Sequence, residues 1–525
     1  MPRHLHSLSG LLVVALTLAA TVMLQTCARS SDSAEATERW SSPGAGVERD
    51  ACLRKHAEAA CRGAGPHNVR NASGKGTELA KKAVFAMDFS PDSGAFPYRA
   101  VEAMSAEDGY YRTIQAMRAA GIDALAHDSF DTARDWDHAA ALAKAVRRWN
   151  DDHDDTFCWA LMPEPMDVDT MIDVFKKYAD GRDYCWKDGK PVFLSYGSNQ
   201  IADGAWVDDF LRPLKIAGLE PFYGWNGSPY SRAQVANLFR RIRNVGIKAA
   251  YVSFSVGPYD STAEKIMNMK SAIAPADILP GASVAYWIGC GRKQTHNYQE
   301  HHGIAGGLKK YLEAMLPGGL YGYPDMFMLT IWNDFTEDTM FIPAEHACGG
   351  PYTLEQCLGP SRYDPQLPVW SHRGAYEFIK RYIEWYKTGQ EPDITKDKIF
   401  YMYRQHPKEM AAPPTDRCNT VDGYPMSGTE DAADVIYITT ELTAPADLTV
   451  TLGGAQIGAW RLPAGSASVE VPWGAQRGRP TFTLTRSGRT VLEEAGKLEI
   501  TNAPRALDGA LTRNFNHYID FAAAP

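Results

Sequence analysis

The sequence has no excess of positive charge. Its 54 Lys and Arg stand against 63 Asp and Glu, a net charge of −9 with a pI near 5.9. That balance argues against nucleic acid or an anionic membrane surface as the main partner. No glycine-rich phosphate loop follows the first apolar run, which counts against a nucleotide-binding doubly wound sheet. The nine cysteines show no zinc-site spacing, and no cofactor or metal is expected. A membrane span is also missing. The apolar run Leu11 to Leu24 has 14 residues, against the roughly 20 a bilayer needs, and no later segment is long and apolar enough.

What the sequence does contain is a globular composition, 45% hydrophobic and 22% charged. At 525 residues the chain exceeds one ordinary core and implies two domains after processing. Arg3 and two histidines precede the run at 11–24, and Gln25, Thr26, Cys27 and Ala28 follow it. Residues 1–27 therefore read as a secretory signal, and the protein is expected to be extracellular. Leu24-Gln25-Thr26-Cys27 loosely resembles a bacterial lipoprotein cleavage box, an alternative that would anchor the chain at Cys27. Eight cysteines remain without Cys27, an even number that suits disulfides in an exported chain. Proximity suggests Cys52–Cys61, Cys158–Cys185 and Cys348–Cys357, leaving Cys290 for Cys418. Asn71-Ala-Ser and Asn226-Gly-Ser are glycan acceptor patterns for a eukaryotic host.

Residues 28–80 are polar and irregular, a linker with one small cysteine loop. From 81 to 395, short apolar runs alternate with helical patterns. The runs fall at 83–88, 122–127, 157–162, 191–196, 219–224, 247–254, 282–288 and 326–332. Each is near-continuously apolar, as parallel strands buried on both faces must be. Tyr110, Ile114 and Met117 share a helix face after a Ser105…Asp108 capping box and before Gly121. Phe378, Ile379, Tyr382, Ile383 and Tyr386 form the last such face, ending at Gly389. Eight strand–helix units point to a (β/α)8 TIM barrel, with an open doubly wound sheet as runner-up. Residues 396–525 change to short β-branched runs at 435–442, 448–452, 468–472, 481–485 and 497–501, separated by turns at Gly453-Gly454 and Ser487-Gly488. They predict a C-terminal antiparallel β-sandwich domain.

Barrel active sites lie at the C-terminal ends of the strands. The predicted strands end at or lead to Asp88, His127-Asp128, Glu164, Trp225, Tyr286-Trp287 and Trp332-Asn333-Asp334. Carboxylates and aromatic rings with few lysines suit a neutral, polyhydroxylated substrate. Glycoside hydrolysis needs two carboxyl groups, one to protonate the leaving oxygen and one to activate water or attack carbon. Asp334 and Glu337, three residues apart beyond the last strand, are the candidate catalytic pair. Their mutual repulsion would raise one pKa and keep that group protonated. Asp88, Asp128, Glu164, Trp225, Tyr286, Trp287, Trp332, Asn333 and His372 are the candidate substrate-binding residues. Each has a plainer reading: strand-end acids bond local amides, and tryptophans fill cores.

The stretch LTIWNDFTEDTMFIP (329–343) resembles the strand-eight motif of glycoside hydrolase family 71, the α-1,3-glucanases or mutanases. Asp rather than Glu at 334 separates it from the related endo-α-mannanase and endomannosidase family 99. VFAMDF, AGIDALAHD and DGKPVFLSYG look like the family's first, second and fourth strands. SHRGAYEFIKRYIEWYKTGQEP (371–392) looks like its last helix, with His372 matching a family histidine. IFYMYRQHPK and NFNHYID are similar to stretches of its β-domain. The resemblance implies a barrel with an appended β-sandwich and endo-acting, inverting hydrolysis of α-1,3-glucan. It assigns Glu337 as acid and Asp334 as base, an order that could be reversed. The chain departs from the family at Met87-Asp88, His127-Asp128 and Pro163-Glu164, where the family carries His-Tyr, Leu-Asn and Phe-Asp. The expectation is thus a secreted, monomeric hydrolase of an α-glucan polysaccharide. An α-mannan hydrolase and a non-catalytic glycan-binding barrel are the alternatives.

Overall fold

The structure is a computed structural model. It describes residues 68–70, 75–89, 105–129, 133–163, 168–195, 206–226, 232–253, 259–270, 273–274, 277–284, 286–287, 298–299, 303–333, 341–342, 372–407, 433–503, 505–507, 510–512 and 517–525. The expected signal, Cys27, the Cys52–Cys61, Cys290–Cys418 and Cys348–Cys357 pairs and Asn71 lie outside them.

Eight strands follow from the apolar runs: β1 (Ala83–Phe89), β2 (Ala124–Ser129), β3 (Cys158–Pro163), β4 (Lys190–Leu194), β5 (Phe222–Asn226), β6 (Lys248–Ser253), β7 (Ile278–Ala282) and β8 (Met326–Leu329). Every neighbouring pair is parallel, and β8 pairs with β1 through Met326–Ala83 to Leu329–Ala86, closing the ring. The barrel expectation is met and the open sheet is excluded. Closure leaves no edge, so strands such as β2 and β8 are buried throughout and need apolar side chains on both faces.

Helices α1 (Ala106–Ala119), α2 (Ala133–Asp152), α3 (Val168–Ala179), α4 (Val207–Ile216, opening as a π-turn), α5 (Arg232–Val245), α6 (Tyr259–Lys270), α7 (Leu308–Met315) and α8 (Arg373–Thr388) cover the ring. The Ser105 hydroxyl accepts from the Asp108 amide at 3.2 Å, so the cap of α1 is real. Gly389 stops α8 in the left-handed conformation, φ 71°, which costs glycine little.

Two of the expected strands are not where the sequence placed them. The seventh barrel strand is Ile278–Ala282, not 282–288. Its Pro280-Gly281 reads as a turn in sequence, yet both residues sit in parallel ladders, paired with Ser253 and Met328. Tyr286–Trp287 is a separate short strand, antiparallel to Tyr298–Gln299. The expected strand at 497–501 contributes one isolated bridge, Ile500 to Gly478.

The C-terminal residues form two four-stranded antiparallel sheets. Their strands are β9 (Lys398–Arg404), β10 (Val435–Leu442), β11 (Ala446–Leu452), β12 (Ala455–Leu462), β13 (Gly465–Pro472), β14 (Pro480–Arg486), β15 (Arg489–Ala495) and β16 (His517–Ala523). One sheet runs β13-β10-β9-β16, the other β12-β11-β14-β15. Ile399, Tyr401 and Ile438 of the first share a core with Leu448, Val450 and Phe482 of the second. Phe400, Met402, Tyr437 and Ile519, on the opposite face of the first sheet, join the barrel's core beside Phe378 and Ile379. That double burial explains why β10 is buried along its whole length.

At the barrel's N-terminal end, Asp123 is 1% exposed and organises three elements. Its Oδ2 accepts from the Val84 amide at 3.0 Å, and its Oδ1 from Arg118 at 2.8 Å and Lys387 at 2.6 Å. A carboxylate so buried is tolerable because both oxygens are occupied by donors. Cys158, at the start of β3, is bonded to Cys185, with Cα atoms 5.0 Å apart, as proximity in sequence had suggested. Asn226 donates to the Val252 carbonyl at 3.1 Å, so its amide is engaged in the barrel wall.

Two stability outcomes follow. Asp123→Ala strands two cations and lowers the unfolding free energy by about 3–5 kcal/mol, seen as a lower urea midpoint at unchanged slope. Replacing both Cys158 and Cys185 by Ala removes a cross-link 27 residues apart in sequence and costs about 3 kcal/mol. An unchanged melting temperature in either variant would count against that contribution.

Candidate active site

Successive residues of a barrel strand face the interior and the helix layer in turn. Phe327 packs edge-on against Tyr386 of α8, with ring centroids 4.8 Å apart, so it faces the helices. Its ladder partner Val84, and hence Ala86 and Asp88, face the same way. Trp159 packs on Tyr178 of α3 at 5.1 Å and pairs with Leu125, which puts Leu125 and His127 on the helix side too. The two deductions agree, because Asp88 and His127 are ladder partners. Asp128, one residue on, faces the barrel interior at the C-terminal end of β2 and is fully buried.

Asp88 is thus behind the wall of the barrel. Its Oδ1 accepts from the Asn333 amide, and its Oδ2 lies 3.4 Å from His127 Nδ1. Asp88 and His127 have no exposed surface, and Asn333 is 1% exposed. Burial pushes the Asp88 carboxyl above its ordinary value, against the opposing pull of His127 and Asn333. The His127 ring stands edge-on to Tyr110 of α1 and to Trp159, 6.1 and 6.3 Å away.

Beyond β8 the chain keeps contact with both neighbouring strands. The Thr330 amide donates to Ala282 at 2.8 Å and the Trp332 amide to Met87 at 2.6 Å. The Trp332 carbonyl accepts from the Phe341 and Ile342 amides at 3.0 and 2.9 Å. Trp332 is fully buried and edge-on to Tyr376 of α8 at 6.1 Å. The point where the chain departs toward residue 334 and the point where it returns at 341 are therefore tied to one residue. Asp334 and Glu337 themselves lie outside the described residues, as does Glu164, which directly follows the last residue of β3.

The remaining candidates are spread out. Trp225 is fully buried in the wall between β5 and α5, packed on Tyr251 at 4.9 Å and Phe239 at 5.5 Å. His372 is fully buried immediately before α8. The backbones of Tyr286 and Trp287 lie beyond β7, and their side chains are outside the described set. The structure thus brings Asp88 and Asn333 together with Trp332 beside them. His127, the partner of Asp88, is not among the expected site residues; it comes to Asp88 through the parallel register of β1 and β2, which no local sequence signal carries. Among the described residues no cluster of three His, Cys, Asp or Glu could hold a metal, and no helix is long and apolar enough to cross a membrane.

Comparison with known proteins supplies a further finding. Residues 320–525 match the family model of Glycosyl hydrolase family 71. A mutanase from Penicillium rubens is 30% identical over 198 residues, covering 37% of this chain and 39% of that protein. A glucan endo-1,3-alpha-glucosidase from Schizosaccharomyces pombe is 29% identical over 198 residues, covering 37% and 40%. The chain thus spans about two fifths of the length of the curated relatives it matches. Among solved structures, a Bacteroides cellulosilyticus glycosyl hydrolase family 2 member aligns at 12% identity over 82% of this chain and 48% of its own, with a TM-score of 0.38. A Bacteroides uniformis beta-glucuronidase aligns at 12% over 81% and 46%, with a TM-score of 0.37.

The raised Asp88 carboxyl has a pH signature. The folded chain holds this proton above the ordinary carboxylate value of about 3.9, where the unfolded chain has lost it. Stability contributed at this site therefore falls as pH rises through that window. Asp88→Asn does not titrate, so its stability relative to the parent should rise from about pH 4 upward and level off once Asp88 is ionised. Urea unfolding across that range reads the gap, and a gap independent of pH would refute the shift.

Proposed function

Because residues 320–525 match the model of Glycosyl hydrolase family 71, we propose that this protein is a secreted glycoside hydrolase of that family that cleaves α-1,3-glucan internally with inversion, acting as a monomer. Asp334 and Glu337 are its catalytic pair. The observation that carries the reading is one of position. The matched segment includes β8 and the residues directly beyond it, and barrel active sites are built at the C-terminal ends of strands. The resemblance to a mutanase and to a glucan endo-1,3-alpha-glucosidase supports the same substrate.

In this mechanism Glu337 protonates the departing glycosidic oxygen while Asp334 activates water on the opposite face of the sugar. Inversion requires room for that water, with carboxyl groups roughly 6.5–9.5 Å apart. Asp128 faces the interior at the end of β2 but has no exposed surface, so no direct sugar contact is assigned to it. Trp332, fully buried against Tyr376, supports the floor of the site. The two C-terminal sheets are read as a β-sandwich; the strict burial alternation along β11 and the shared core support that reading.

Purified protein incubated with insoluble α-1,3-glucan, α-1,4-glucan and α-mannan gives the direct test, with the released anomer followed by NMR. Release from α-1,3-glucan of the inverted anomer is expected. Release from α-mannan alone would move the protein to the related mannan-degrading chemistry, and binding without release would make it a glycan-binding barrel. Asp334→Asn and Glu337→Gln should each lower kcat by about 10³-fold or more with the fold intact. Turnover near the parent level in either variant would remove that residue from the pair.

A further inference from the structure

We propose that Asp88, backed by His127, is a positioning residue that aims the acid-bearing segment after β8, and that it does not contact the glucan. The proposal rests on the reading of Asp334 and Glu337 as the catalytic pair. Three observations carry it. Asp88 and His127 face the helix layer and have no exposed surface, so a substrate in the barrel mouth does not reach them. The Asp88 carboxylate accepts from Asn333, the residue immediately before Asp334, and lies beside His127 Nδ1. Finally, the Trp332 backbone is held by Met87 on one side and by Phe341 and Ile342 on the other. The side-chain tether at Asn333 therefore acts at the residue directly before Asp334.

The energetics favour a geometric purpose. A carboxylate buried this completely is costly, and replacing the whole bonded set of Asp88, His127 and Asn333 by apolar residues of similar volume would be about neutral for stability. What it offers is direction. Its two oxygens, set by a rigid plane, fix Asn333 relative to β2, and so fix where residue 334 begins. His127 holds that plane from the other side. Catalytic groups misplaced by about 1 Å lose turnover by about 10²-fold, so a tether one residue away is worth keeping.

Steady-state kinetics on α-1,3-glucan, run on protein shown to be folded by near-UV circular dichroism, test the assignment. Asp88→Ala should lower kcat by about 10²-fold with KM within about twofold. Asp88→Asn keeps an acceptor oxygen for Asn333 and should recover most of that loss. His127→Leu should lower kcat, and His127→Gln, which retains a donor, should restore it. A purely structural role would not give rescue by the isosteres at unchanged KM. Parent-level kcat in Asp88→Ala overturns the proposal. So does a loss confined to KM, which would mark a substrate contact, or an Asp88→Asn variant as impaired as Asp88→Ala. Where Asp88→Ala does not fold, Asn333→Ala breaks the same bond from the other end, and parent-level kcat there is equally fatal. A folded parent that releases no sugar overturns the catalytic reading and this proposal together. A parent inactivated by Asp334→Asn but unaffected by Asp88→Ala overturns the positioning role alone.

Discussion

Everything above the barrel depends on the ladder between β8 and β1. Met326 to Leu329 pair in register with Ala83 to Ala86, and this last contact turns a row of strands into a ring. Without it, two strands would each present a line of unpaired backbone donors and acceptors. With it, the strand ends are fixed around one circle, and the phase of every side chain follows from any one of them. That is why the contact of Phe327 with Tyr386 decides which way Asp88 faces.

The seam between β1 and β2 carries two buried carboxylates with different partners. At the N-terminal end Asp123 meets Arg118 and Lys387, full positive charges that bind α1 and α8 to the ring. Toward the C-terminal end Asp88 meets an amide and an imidazole. The first arrangement neutralises charge and anchors helices. The second leaves the charge less compensated, consistent with a carboxyl pushed upward by burial, and spends its bonds on orientation. The same residue type thus secures the base of the barrel and directs its rim.

The architecture was legible because continuous apolar runs and glycine stops are local signals. Gly121 and Gly389 ended their helices where expected, and Cys158–Cys185 formed between neighbours in sequence. The seventh strand was misplaced because Pro280-Gly281 mimics a turn, while parallel pairing with β6 and β8 supplies what local propensity lacks. Strands β12 and β15 fall outside the expected runs because they are largely exposed and carry no continuous apolar stretch; β9 and β16 are also absent from those runs. The site was harder to read. Strand-end position drew attention to Asp88 and Asn333, but not to their contact, which joins residues 245 apart in sequence. The inward or outward phase of Asp88, Asp128 and Trp225 is a property of the closed ring, invisible in any one strand.

The attachment of α8 to the C-terminal sheets has a consequence for how small the protein could be made. A methyl group at Gly374 would meet the backbone of Asp520 at 2.5 Å, and Arg373 is bonded to the Asp520 carboxylate at 2.8 Å. Phe378 and Ile379, on the same helix, are covered by residues of β9 and β16. A chain cut after Thr388 would therefore not be a minimal barrel. It would bare an aromatic flank on α8 and free the helix that opens beside His372, because the eight-stranded ring and the sheet behind it share one packed core.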